Sequence, residues 1–260
     1  MKPIFQIFTL LKNKKWTAFS LIEAAIALCI FGIIAATLMP LMVGYAESYK
    51  KRATEKNMEE AFQSLGAFVL LHKRLPCPSN LSQKGVAALD CRLAGTFVGI
   101  LPFKTLGIPE KKAKDAYGRW LTYGVSPCLT YTSIKAINKA RDSAFDSQKD
   151  CDFFCHVTPE FPSLSVVDEH GVSVISPTHE QEFLALVLVS HGPKGYGAFT
   201  DSGNRTPTFS KEKAKNADNS GNFTDQPLCQ KAESYFDDTV RWATRHTFIA
   251  QYGQTPCLYE

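Results

Sequence analysis

The stretch from Thr17 to Met42, TAFSLIEAAIALCIFGIIAATLMPLM, decides how this chain is built. It sets one acid, Glu23, at the start of an apolar run in which the next charged side chain is Glu47. A carboxylate at the edge of a hydrocarbon phase is costly unless a partner neutralises it. As a helix rising about 1.5 Å per residue, the uncharged run from Ala24 to Ala46 reaches roughly 34 Å, enough to cross a bilayer core. Cys29 lies inside it and behaves there as a small apolar side chain. Pro40 removes one helical hydrogen bond and, with Gly44 a turn later, predicts a kink or a locally melted turn.

Lys2, Lys12, Lys14 and Lys15 precede Ala18, no acid precedes Glu23, and these four lysines account for the whole formal charge of +4. The remainder of the chain is balanced, so it lacks the global basic footprint of a nucleic-acid binder, and no nucleic-acid partner is inferred. A secretory signal cut after Ala46 is one alternative. Against it stand an apolar run longer than the usual signal core, an acid at its start, and helix-forming sequence that continues past the cut. A permanent single-span anchor is the stronger alternative. Lys50, Lys51 and Arg52 follow the span as Lys14 and Lys15 precede it, so loop charge does not orient it.

Beyond the span, Thr54, Met58, Ala61, Phe62, Leu65, Phe68 and Val69 recur at three- and four-residue spacing, one face of an amphipathic helix continuous with the apolar segment. Pro76 and Pro78 predict its end near Leu75. Four segments follow: a leader over 1–18, a transmembrane half-helix over 19–46, an amphipathic half-helix over 47–75 and a globular head over 76–260.

Basic residues (Lys12, Lys14, Lys15), a small residue, then FSLIE, an apolar stretch and a long amphipathic helix: this order resembles the class III signal of type IV pilins and type II secretion pseudopilins. The resemblance implies a cut by a prepilin peptidase between Ala18 and Phe19, N-methylation of Phe19 by the same bifunctional enzyme, and retention of Glu23. Ala18 stands where the family usually has Gly, and Pro40 falls where many members carry a helix-melting proline. The implied protein sits in the bacterial inner membrane with an extracytoplasmic head, and its partners are the lipid bilayer, other pilin or pseudopilin subunits and an assembly platform. It also supplies a partner for Glu23. The freed amine of Phe19 stays largely cationic, so Glu23 of one subunit can neutralise the N-terminus of the next and set the stagger between them.

Every cysteine except Cys29 follows the span: Cys77, Cys91, Cys128, Cys151, Cys155, Cys229 and Cys257. This fits disulfide chemistry in an oxidising compartment, and the odd number leaves one thiol free or paired between chains. Cys77 with Cys91 and Cys229 with Cys257 are plausible bridges, while Cys128, Cys151 and Cys155 allow one more. CDFFCH at 151–156 has three residues between its cysteines where a C-x-x-C-H haem motif has two, and a Cys/His zinc site is the other alternative to a disulfide.

In the head, RWLTYGV at 119, a hairpin-like SLSVVDEHGVSVI at 163, FLALVLVSH at 183 and TVRWATR at 239 read as strands separated by turn residues, whereas FIAQYG at 248 is more helical. The expected fold is α+β, a long N-terminal helix packed on an antiparallel sheet. LPF at 101, DAYGRWLTY at 115, VLVSHGPKGYG at 187 and DDTVRW at 237 follow the order of motifs in pilin-like domains. Major pseudopilins bind calcium in a loop equivalent to one here, and Asp201, Asp218, Asp225, Asp237 and Asp238 are the candidate oxygen ligands; the alternative is polar turns capped by Asp and Asn. No other cofactor is expected. Ser190 and His191 are neighbours in sequence, and no G-x-S-x-G, P-loop or H-E-x-x-H occurs, so the reading is a structural subunit and not an enzyme. The competing readings are an anchored binding module that does not polymerise and a membrane-tethered enzyme. The large, cysteine-rich head favours a minor subunit, and the sequence does not choose among a pilus, a secretion pseudopilus and a DNA-uptake fibre.

Overall fold

The computed structural model describes residues 20–80, 82–93, 95–130, 164–175, 184–208, 210–229, 231 and 235–252. Helix α1 runs from Leu21 to His72 without a break at Pro40 or Gly44. Thr37 returns its hydroxyl to the carbonyls of Ile33 and Ile34, at 3.3 and 2.9 Å, and so satisfies itself within the apolar segment. The chain divides into two compact units between Tyr49 and Lys50, and α1 contributes to both. In the described part of the first unit the large apolar side chains are exposed, Leu21, Ile22, Phe31 and Ile33 by about seven-tenths or more. In the second unit all seven residues of the expected amphipathic face are buried. The helix stops three residues short of Leu75, where Lys73 takes the left-handed conformation (φ 56°) and bonds back to the Val69 carbonyl at 2.8 Å.

The described part of the head is built on a four-stranded antiparallel sheet in the order β1–β2–β4–β6, formed by Val98–Ile100, Thr122–Val125, Leu184–Ser190 and Thr239–Thr244. All seven residues of β4 are buried, which requires cover on both faces. Strand alternation shows what supplies it. On β6, Arg241 turns to α1, pairing with Glu59 and lying 4.7 Å over the Phe62 ring, while Trp242 turns the other way and donates to Asp225 at 3.4 Å. On β2, Tyr123 donates to the Pro76 carbonyl at 3.0 Å, while Gly124 faces Phe223 so closely that a Cβ would lie 3.1 Å from the ring. The second cover is a parallel pair, β3 (Ser165–Val167) with β5 (Asn222–Thr224). After β3 the chain turns back at Asp168–Gly171, but the expected second hairpin arm forms only a bridge, Val167 with Ser173. Among the described residues the head also has two short α-helices, α2 (Lys211–Lys215) and α3 (Arg245–Tyr252), the latter over the stretch expected to be helical.

Cys77 and Cys91 form the expected disulfide. Cys128 is also disulfide-bonded. Cys151, Cys155 and Cys257 lie outside the described residues, as do Lys12, Lys14, Lys15, Ala18 and Phe19. Cys229 is half-buried and its backbone pairs with Phe236.

Candidate functional site

Two regions concentrate the features that carry function. The first is the apolar half of α1. Glu23 sits in its first turn, where a carboxylate also complements the positive end of the helix dipole, and its side chain is exposed. None of the most apolar window of the helix is buried, and among the described residues this is one helix long and apolar enough to span a membrane. Cys29 is exposed on the same segment.

The second region is a polar cluster joined to β5 through Asn216 and Thr224 and assembled from four separate stretches of chain. Strand β2 brings Thr122, the end of β4 brings His191, α2 brings Lys213 and Asn216, and the entry to β6 brings Asp237 and Asp238. Ser210 caps α2 by accepting from the Lys213 N–H and donates its own hydroxyl to the Tyr235 carbonyl at 2.8 Å, which ties α2 to the acidic segment. The Lys213 side chain is fully buried, and its Nζ donates to Asp237 Oδ1, to Asp238 Oδ1 at 2.5 Å and to the His191 carbonyl at 3.4 Å. Asn216 locks the arrangement by bonding Asp238 Oδ2 at 2.9 Å and both backbone groups of Thr224. Gly192 permits it: at φ 63° its Hα points where a Cβ would lie 2.1 Å from the Asp237 carbonyl oxygen.

Arg205 adds a second cation, half-buried beside the first. It donates to Asn219, to the Gly197 carbonyl at 2.7 Å and to Thr122 Oγ1 at 3.3 Å, and stacks 3.8 Å over Phe199. Burial pulls its guanidinium down to about 10, against the pull of Asp218 and Asp238. Burial would push the Asp238 carboxyl up, but His191 and Lys213 outweigh it and hold it below the usual carboxylate range. The cluster therefore sets two cations against two carboxylates, as buried charges require.

Thr122 Oγ1 lies 2.9 Å from His191 Nε2, and His191 Nδ1 lies 3.6 Å from Asp238 Oδ2, the order of a hydroxyl, base and carboxylate relay. All three side chains are buried, so in this structure the hydroxyl is closed to a substrate. Ser190, the neighbour singled out in sequence, instead donates to Asp115 at 2.9 Å.

The five aspartates expected as metal ligands are dispersed. Asp201 accepts from Trp120 at 2.8 Å, Asp218 caps the Ser220 N–H, Asp225 accepts from Trp242, and Asp237 with Asp238 encloses an ammonium where a cation would sit. Among the described residues no three His, Cys, Asp or Glu side chains are grouped to hold a metal, and the Lys213 site does not fit one. Sequence reading missed Lys213, Arg205, Thr122 and Asn216. The one available signal was the twin acid Asp237-Asp238 entering a strand with no cation beside it in sequence. Sequence reading also missed an open cleft of about 580 Å³ next to the Cys77–Cys91 loop, bordered by Ser79, Asn80, Asp90, Val98 and Phe199.

No family model, curated protein or solved structure matches the chain.

Proposed function

We infer that the chain is a structural subunit, of the minor kind, of a type IV pilus or type II secretion pseudopilus. In this reading a prepilin peptidase cuts between Ala18 and Phe19 and methylates the new N-terminus. The protein is then held in the bacterial inner membrane with its head outside the cytoplasm, and joins a fibre through α1. The observation that carries the reading is the divided helix behind the FSLIE signal: residues 54–69 bury their apolar face in the head, while residues 21–45 expose an equally apolar surface that none of the described residues covers. A bilayer covers that surface before assembly, and neighbouring helices cover it afterwards. Polymerisation explains what a plain anchor does not, namely an acid at the edge of the apolar segment directly behind a peptidase-type cleavage sequence.

Glu23→Ala tests the reading. The variant should insert and be processed as wild type does, yet fail to copurify with wild-type fibres or cross-linked oligomers. Its neighbour's Phe19 amine is then left uncompensated in the membrane, a loss of about 3–5 kcal/mol. A variant that copolymerises as well as wild type refutes the role of Glu23 in setting the stagger.

A further inference from the structure

The surroundings of Lys213 hold more than a charge pair. Its Nζ touches Asp237 Oδ1, and the other oxygen of that carboxyl, Oδ2, accepts from the Tyr235 hydroxyl at 2.9 Å and the Lys194 N–H at 3.1 Å. A second carboxylate oxygen, Asp238 Oδ1, lies 2.5 Å from the same nitrogen, and its partner oxygen is pinned by Asn216. The Tyr196 and Tyr235 rings flank the ammonium at 5.9 and 5.8 Å. Amine, acyl carbon, two donors on one acyl oxygen and a base at the amine are the parts of an acyl-transfer site, contained in one chain and shut off from solvent.

We propose that Lys213 and Asp237 condense without an external enzyme into an Nζ–Cγ amide, an isopeptide cross-link between α2 and the segment that enters β6. Asp238 Oδ1 takes a proton from the ammonium and passes it to Asp237 Oδ1, and the neutral Nζ then attacks Cγ of the resulting carboxylic acid. The charge that develops on Oδ2 meets the Tyr235 hydroxyl and the Lys194 N–H. The second proton follows the same route after the Nζ–Cγ bond has formed, through Asp238 Oδ1 to Asp237 Oδ1, so that two of the three ammonium protons end on the leaving oxygen and Asp238 ends ionised as it began. The Cγ–Oδ1 bond breaks and one water leaves, with one proton remaining on the amide nitrogen. Nothing is oxidised or reduced, and no co-reactant is needed. Enforced contact supplies effective molarities of about 10⁵–10⁸ M, and replacing a buried ammonium and carboxylate with a neutral amide removes the desolvation cost of two ions. The product keeps charge balance, since Asp238 then faces Arg205 and His191 alone. Tyr235 supports its part: burial and the Asp237 carboxylate push its phenol well above the usual range, so it remains a hydroxyl donor.

The test is the mass of the full chain, purified in detergent after export, followed by reduction, alkylation and tryptic mapping. The expected result is a head lighter by one water, with trypsin unable to cut after Lys213 and a branched peptide joining residues 213 and 237. Asp238→Asn, which keeps the shape and removes the base, should lose most of the cross-linked species, and Lys213→Met should lose all of it. Three results overturn the proposal: an unshifted mass with cleavable Lys213 in a wild-type chain whose Cys77–Cys91 bridge shows it folded, a branch to residue 238 in place of 237, or full cross-linking in Asp238→Asn.

Discussion

Asp115 has both carboxylate oxygens in use. Oδ1 accepts from the Tyr117 and Arg119 N–H groups, at 2.9 Å each, and closes the turn that feeds β2; Oδ2 accepts from Ser190 on β4. Burial pushes its carboxyl above the usual carboxylate range, more than these bonds and Arg119 pull it down. The folded state therefore holds this proton more tightly than the unfolded chain does. The cost of ionising it is fully present at neutral pH and disappears as pH falls through the folded value. Asp115→Ala should destabilise the head by about 1–3 kcal/mol, because it orphans three donors. Asp115→Asn retains the acceptor for both N–H groups and should stay within about 1 kcal/mol of wild type at neutral pH. Wild type should then gain stability relative to the Asn variant on mild acidification. Urea denaturation of the three proteins across weakly acidic pH measures both effects, and an Asn variant as unstable as the Ala variant would show that charge, not the turn acceptor, holds this corner.

At the scale of elements, α1 divides its burden between two surroundings. Phe62 is 2 % exposed, lies under the Arg241 guanidinium and is 6.5 Å from the Phe248 ring. Truncating it leaves a cavity, and Phe62→Ala should cost the head about 3–5 kcal/mol in chemical denaturation. Ile33, 68 % exposed on the apolar half, should cost the head nothing when changed to Ala, and a comparable loss there would mean that the two halves fold as one unit. The amphipathic face from Thr54 to Val69 was legible because its spacing is long and regular, and β2, β4 and β6 were legible because β-branched and aromatic residues crowd them. Strands β1 and β5 were not. VGI and NFT are three residues each, too short for an alternation to register, and β5 is a strand only because β3 pairs with it across a long separation in sequence. The same blindness hid the polar cluster. KEKAK reads as a solvated turn until Ser210 and Asp237 draw its middle lysine inward.

At the scale of the molecule, the compact unit and the uncovered helix make opposite demands on solvent. A chain beginning at Lys50 retains the buried face of α1, the sheet and the Cys77–Cys91 bridge. Made in an oxidising compartment, it should be monomeric in water by light scattering, whereas the chain from Phe19 should require detergent. Aggregation of the shorter protein would mean that the head exposes an apolar surface of its own. The central claim is that a prepilin-type cut frees the helix to enter a fibre, and the most direct measurement is mass spectrometry of the N-terminal peptide of the mature protein purified from its membrane. The account predicts a first residue of N-methylated Phe19. A peptide that begins at Met1, or after Ala46, would contradict it.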